Sequence, residues 1–482
     1  MQTQIYHGKY EVEYSIVNIS ELEGALRIDA EYYDPVYLRR EKIIEKKNSD
    51  YLENIAPNDY ITFSPNCDYF NYIEISNVNL ETGDYIIEKI HCDYAPSRAK
   101  KLVSKNDIII STVRPNRNAV AIIYHKTKNL VASTGFCKLT AKKINPKYLF
   151  ILFKTYIYRD FLVRKTTATM YPAVSEYDII NLKIPIPSDE FQEQIENLVL
   201  QSHHERENTE HFYNEAEEIL LNELRLKDWK PITKKIVLNR IEYEEEKNIS
   251  IMNLSDVLKV DRLDAEYWDP KYDELEDLFR NYKKLRPLKK FMFNFQKGIE
   301  IGSENYQEEG KFFIRVSNLS INGFIEKDKK YMSEELYSQL KDVYEPRVGD
   351  FLLTKDATPG ITYVVKEPVE GIIASGILKL NINENEINKE YLALCINSII
   401  GKLQIEQSGG GSVITHWRPE QIKELQIPIL PHRIQQKIAS LIQQSYKARR
   451  KAKGLLEIAK KSVEIYIEKN EEEGLKYMVM NH

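Results

Sequence analysis

The chain has 482 residues, 42% hydrophobic and 29% charged, with a formal net charge of −5. That leaves room for roughly two to four domains, each with a full core, in the composition range of soluble globular proteins. No run approaches the roughly 18 apolar residues of a membrane span. The opening MQTQIYHGKY lacks a signal-peptide layout, and Cys67, Cys92, Cys137 and Cys395 show no paired spacing, so a reduced, cytoplasmic protein without zinc knuckle or disulfide framework is expected.

Taken in order, residues 1–45 form an entry segment containing RIDAEYYDP at 27–35. Its Asp29, Tyr32 and Tyr33 are the kind of exposed acid and aromatic set that docks a partner, although a helix cap and local packing explain them equally well. Residues 46–188 follow as a compact domain of short strands rich in Ile, Val, Tyr and Thr, split by Asn/Asp/Gly turns. Charge is segregated within it. Residues 45–97 carry ten acids and three lysines; residues 98–165 carry sixteen Lys/Arg and two acids, Asp107 and Asp160. A local basic field of that size suits a polyanion, and a solvated lysine-rich surface is the plainer reading.

Residues 112–118 offer Arg114, Asn116, Arg117 and Asn118 in a turn after a strand. Arg matches guanine O6/N7 and Asn matches adenine N6/N7, so this loop is a candidate base reader; a plain hairpin turn is the alternative. An apolar helix is predicted over 146–159. After it, residues 164–171 supply Arg164, Lys165, Thr167, Thr169 and Tyr171, whose hydroxyls and cations suit phosphates while the tyrosine suits a base or sugar. Ile184-Pro185-Ile186-Pro187 then forces an extended segment. Ser188 and Asp189 are N-cap candidates for a long helix over 189–228.

The plan then repeats. Residues 229–284 are a linker with a second entry motif, RLDAEYWDP at 262–270, containing Asp264, Tyr267 and Trp268. A second domain spans 285–431, a second long helix 432–470, and a tail 471–482. Pro185 corresponds to Pro428 at an offset of 243 residues, and the blocks at 72–79, 104–112 and 131–139 return in the same order at 313–320, 347–355 and 373–380. The loops do not repeat. Residues 354–360, with Lys355 and Thr358, stand opposite 112–118, and GGGSVITHW at 409–417, with Ser412, Thr415, His416 and Trp417, stands opposite 164–171. Lys297 with Gly298 is a further candidate.

The long helices are complementary. Residues 190–223 hold ten glutamates against Arg206, and residues 433–461 hold nine Lys/Arg against Glu457. Narrow apolar seams run through both, at Ile195, Val199, Phe212, Ala216 and Ile219, and at Ile438, Leu441, Ser445, Ala448, Ala452, Leu455 and Ala459. The expected fold is α+β, with two repeated mixed-sheet domains separated by two long helices in an antiparallel coiled coil. Roughly 35–40 residues per helix gives a spacer of about 50–60 Å.

Chemistry of its own is hard to find. There is no phosphate loop and no Asn/Asp-Pro-Pro-aromatic methyltransferase motif; Gly409-Gly410-Gly411-Ser412 precedes no suitable lysine. His203-His204 reads as a solvated helix face rather than a metal site. Asp107 with Lys105 hints at a nuclease core in the wrong order.

The duplicated IPIP-type strands leading to FQEQI (191–195) and IQQKI (434–438), with the two entry motifs, resemble the DNA-specificity subunit of type I restriction-modification systems. That resemblance covers essentially the full chain. It implies a non-catalytic subunit that binds double-stranded DNA at a bipartite, asymmetric target and recruits methyltransferase and motor-nuclease subunits. No cofactor or metal is expected on this chain, whereas those partners would use S-adenosylmethionine, ATP and Mg. Two other readings remain open: a coiled-coil scaffold joining two peptide-binding domains, and a stand-alone nuclease.

Overall fold

A computed structural model describes residues 6–7, 13–22, 27–166, 172–227, 253–260, 284–325, 328–409 and 417–482, with isolated positions between 229 and 282. The chain divides into two compact units, Met1–Glu207 with Ala448–His482, and Asn208–Lys447.

In the first unit the strand Asp107–Ser111 lies between Phe136–Thr140 and Val120–Ile122 in an antiparallel sheet. Every residue of that strand is buried, so its three central isoleucines form a continuous apolar run rather than an alternating pattern. Ile108 and Ile110 pack on a core made by helices, whereas Ile109 faces Ile73, Ala132 and Phe136. The latter side belongs to a mixed sheet in the order Glu88–His91, Tyr69–Ile73, Leu130–Ser133, Ala99–Leu102, whose middle pair is parallel.

The second unit reuses this arrangement. Phe351–Thr354 is central to an antiparallel sheet with Ile377–Ile382, Met292–Lys297 and Thr362–Val364. Lys311–Ile314 lies between antiparallel Lys330–Met332 and parallel Gly371–Ile373. The α+β class with mixed sheets agrees with the expectation.

The apolar helix predicted over 146–159 is two helices, Pro146–Lys154 and Tyr156–Arg164. Thr155 between them is extended at φ −66° and ψ 151°; its hydroxyl donates to Leu152 O at 2.6 Å and accepts from Tyr158 N. The hydroxyl thus ends one helix and caps the next, an alternative to continuing the ladder. Ser398 divides Lys389–Asn397 from Ile399–Ser408 at the matching place and ends the first by donating to Cys395 O at 2.8 Å, without a side-chain cap on the second.

Each Pro-containing strand joins its head to a rod. Lys183–Pro185 pairs with Ser49–Tyr51, and Gln426–Pro428 with Leu285–Pro287. Tyr148 donates its hydroxyl to Pro185 O at 2.8 Å, as Tyr391 does to Pro428 O at 2.6 Å. Ser188 caps the first rod by accepting from Phe191 N. Gln192, one turn in, accepts from Asn145 N and donates to Pro187 O; Gln435 does the same with Asn388 N and Leu430 O. These buried carboxamides satisfy main-chain groups that the chain reversal would otherwise strand.

The rods run Asp189–Glu223 and His432–Glu468. In the first unit Ile195 and Val199 pack with Leu455 and Ala459, and Ser202 donates to Ala452 O at 2.8 Å. In the second, Ala216 and Leu220 pack with Ile438 and Leu441, and Ser445 donates to Thr209 O at 2.8 Å. In both units the helices therefore pair antiparallel. The expected charge matching contributes Lys451 with Glu205 at 2.6 Å, an exposed pair worth little beside the buried seam. Residues 471–482 are not a simple tail. Helix Glu471–Asn481, capped by Asn470, docks so closely that a Cβ on Gly474 would lie 2.8 Å from the Phe191 ring.

Candidate nucleic-acid interface

Main-chain bonds pin the base of loop 112–118. Thr112 N donates to Gly135 O, Arg114 N to Pro172 O, and Val174 N to Thr112 O, at 2.7–2.9 Å. The segment Pro172–Val174, just after the second loop singled out in the first domain, is thereby brought beside the first, with the turn at Thr134-Gly135 next to it. Arg114 and Asn118 adopt left-handed backbone at φ 51° and φ 54°, bracketing a short turn over Pro115–Arg117. An arginine there is uncommon, and the surrounding bonds hold it against a cost of order 1 kcal/mol or more.

The second unit carries the same frame. Lys355 N donates to Gly376 O and Trp417 N to Lys355 O, at 2.8 and 2.9 Å. Ala357, at φ 59°, occupies the place of Arg114. Gly298 N donates to Ile377 O, which sets Lys297 at the same edge; a Cβ on Gly298 would lie 2.3 Å from Ala374 O. One frame therefore carries two different sets of side chains.

The type I restriction modification DNA specificity domain matches residues 29–217 and again 269–458. The chain belongs to that family. A specificity subunit of the Haemophilus influenzae type I restriction enzyme HindI is 28% identical over 133 residues, 25% of this chain. In that match the chain spans 29% of the relative's length. Among solved structures, an HsdS subunit from Thermoanaerobacter tengcongensis is 18% identical, with TM-score 0.32 over 88% of this chain and 97% of that one. A type-I restriction-modification system S subunit from M. genitalium is 13% identical, with TM-score 0.31 over 90% and 93%.

Within these two specificity domains the candidate residues separate. Asn116 and Arg117 are exposed at the loop tip, as are Thr358 and Lys297 in the second unit. Asn118 turns inward, donating to Lys154 O at 3.1 Å, so it shapes the loop rather than facing outward. Lys355 is paired with Asp356 and its side chain is only 13% exposed, which removes it as an open cation. Thr167, Thr169, Tyr171, Ser412, Thr415 and His416 lie outside the described residues.

Two expectations are overturned by burial. Arg164 is 5% exposed, donating to Tyr32 O and to Glu41 Oε1, both at 2.5 Å, and so cannot hold a phosphate. Trp417 is 1% exposed and belongs to the second unit's core; its counterpart Val174 is buried too. The exposed set expected in the first entry motif is also corrected. Tyr32 and Tyr33 are buried, and the Arg27 and Arg164 guanidiniums sit 4.2 and 4.3 Å from the Tyr32 ring centroid.

Lys165 donates to the Tyr32 hydroxyl at 2.7 Å, so this cation too is engaged with the motif. Asp29 pairs with Arg27, which donates to Thr166 O at 3.2 Å. The second motif repeats the grip: Asp264 pairs with Arg262, which donates to Ser408 O, stacks on Tyr267 and accepts at its carbonyl from Trp268. Each motif thus clamps the segment leading into a variable loop.

The basic stretch is thinner outside than its composition implies. Lys101 is buried, donating to Phe136 O and Glu176, and Lys138 and Lys147 pair with Asp107 and Glu196. Asp107 also accepts from Ser104 N and Thr140 Oγ1, a structural tie that Asp350 echoes with Arg347 N. Sequence reasoning missed Arg98 and Lys100, both exposed, with Arg98 O holding Thr134 N at 2.8 Å. Their place within the basic stretch was the available signal.

Lys154 lies beneath loop 112–118, donating to Leu80 O and Asn118 O. Burial, then Lys460, push its pKa down from 10.5 to about 7. The unfolded chain keeps this proton up to its higher pKa, so between pH 7 and 10.5 it binds more protons than the folded chain. Folded stability from this group therefore rises with pH through that window, and the burial penalty is constant below it. The neutral amine still has two hydrogens for the two carbonyls. Lys154→Met should flatten that rise, measured as unfolding free energy against pH in both proteins.

Proposed function

We propose that the chain is the sequence-reading subunit of a type I restriction-modification complex, binding a bipartite, asymmetric duplex target through one head per half-site. The observation that carries this is the contrast between repeated frame and unrepeated side chains, seen at Arg114 against Ala357, both left-handed at φ 51° and φ 59°. Two unlike heads support the reading of two unlike half-sites with an unread gap between them. In this reading methyltransferase subunits supply S-adenosylmethionine chemistry and restriction subunits supply ATP- and Mg-dependent chemistry. This chain itself performs no catalysis, and it acts in the cytoplasm, where the target DNA lies.

Arg117→Ala should cost about 1–3 kcal/mol of binding to the preferred duplex and relax preference at one base pair of one half-site. Competition binding against a panel of single-position duplex variants would check it. A uniform loss across all variants would reassign Arg117 to backbone contact. The duplex affinity should fall steeply with salt. A chain whose association with duplex DNA is absent or insensitive to salt would instead support the peptide-binding scaffold, and methylome sequencing with and without the chain would read out the target.

A further inference from the structure

Away from the loops, three potential ligands converge in the first unit. His203 and Glu207 lie one helical turn apart on the first rod, and His125 stands between the strands Val120–Ile122 and Leu130–Ser133. His203 Nε2 is 3.6 Å and His125 Nε2 4.0 Å from Glu207 Oε1, and the three ligand atoms all lie within 4.8 Å of one another. A tetrahedral ion with bonds of about 2.0–2.1 Å needs ligand atoms about 3.3–3.4 Å apart. Small side-chain rotations close that gap.

We propose that His125, His203 and Glu207 form a binding site for a borderline divalent transition ion of the Zn2+ class. Two imidazoles and a carboxylate are the donor set such an ion accepts, with a fourth position left for water. The geometry distinguishes the cluster from a solvated helix face. His203 has only 19% of its side chain exposed and stacks on Tyr124, ring centroids 3.8 Å apart and planes 4° from parallel, whereas His204 next to it is 72% exposed. That stacking fixes the plane of the imidazole, and Arg206 on Nδ1 sets the sense that leaves Nε2 toward Glu207.

Arg206 opposes the ion. Its Nη2 is 3.0 Å from His203 Nδ1, the nitrogen that carries the proton once Nε2 binds metal. Two donors would then face each other, so Arg206 must swing toward its other neighbours, Asp84 and the Tyr124 ring. The site therefore binds modestly, and removing the opposition has a definite sign. Gln at this position can accept from Nδ1–H, the supporting bond that ligating histidines usually have. Occupied, the site ties the 123–129 segment of the head to the rod.

The test is a Co2+ titration of the untagged full-length chain, followed by visible absorption and by Zn2+ displacement. A saturable tetrahedral Co2+ band at about one equivalent, bleached by Zn2+, is expected. His125→Ala, an exposed position, should weaken binding at least as much as losing a supporting partner does, roughly 10–100-fold. His204→Ala should leave it unchanged, and Arg206→Gln should tighten it several-fold. No saturable band, a band of unchanged affinity in His125→Ala, or one lost in His204→Ala would overturn the proposal. The readout involves no DNA, so it stands apart from the proposed function.

Discussion

Trp417→Ala is expected to lower the stability of the second unit by about 3–5 kcal/mol, the range for removing a large buried aromatic. The indole fills the core among Leu353, Tyr391 and Ile422, and its main-chain N–H anchors the loop at Lys355 O. Its side-chain N–H has no hydrogen-bond partner among the described residues. Phe at this position should therefore recover much of the loss, since it restores apolar volume and strands no donor. Denaturant unfolding of the three proteins checks this. A loss below about 1 kcal/mol for Trp417→Ala, together with lost duplex binding, would return the residue to the reading surface.

The second large effect belongs to Arg164. Its guanidinium has 1% of the side chain exposed, bonded to Glu41 and to Tyr32 O and stacked on the Tyr32 ring. Arg164→Ala should destabilise the first unit by about 3 kcal/mol, near the low end for a broken buried pair because Glu41 keeps 32% of its side chain in water. Arg164→Lys should not rescue it, since an ammonium offers no planar fork to serve carbonyl, carboxylate and ring together. If Arg164→Ala left the unfolding midpoint in place and flattened the salt dependence of duplex binding, the phosphate role would be restored.

The architecture was legible because it was written twice. The matched Pro-containing strands, the seams with Ile195 and Ile438, and the recurring blocks at near-constant offset all fall on elements whose period and capping are local properties. Gln192 and Gln435 were visible as a match, but their task, joining a helix cap to the chain reversal, is made by residues 47 positions upstream and could not be read locally. The candidate interface was harder for a related reason. Counting cations over 98–165 does not reveal that Lys101, Lys154 and Arg164 point inward, because long side chains on half-buried elements can snorkel either way. Nor does composition show that Asn118 spends its carboxamide on shaping a turn. Asn116 and Arg117, at the tip, keep the orientation that turn chemistry implied.

The way the loops are fastened has a wider consequence. Thr112 and Lys355, with Val174 and Trp417, hold their neighbours through peptide groups that every residue but proline supplies. The fastening is therefore indifferent to what the tip residues are. On the proposed reading, substitutions at 116–117 or 358 need no compensating change underneath, whereas 357 is held to residues that accept a left-handed backbone, so new target preferences can arise in a lineage one exchange at a time.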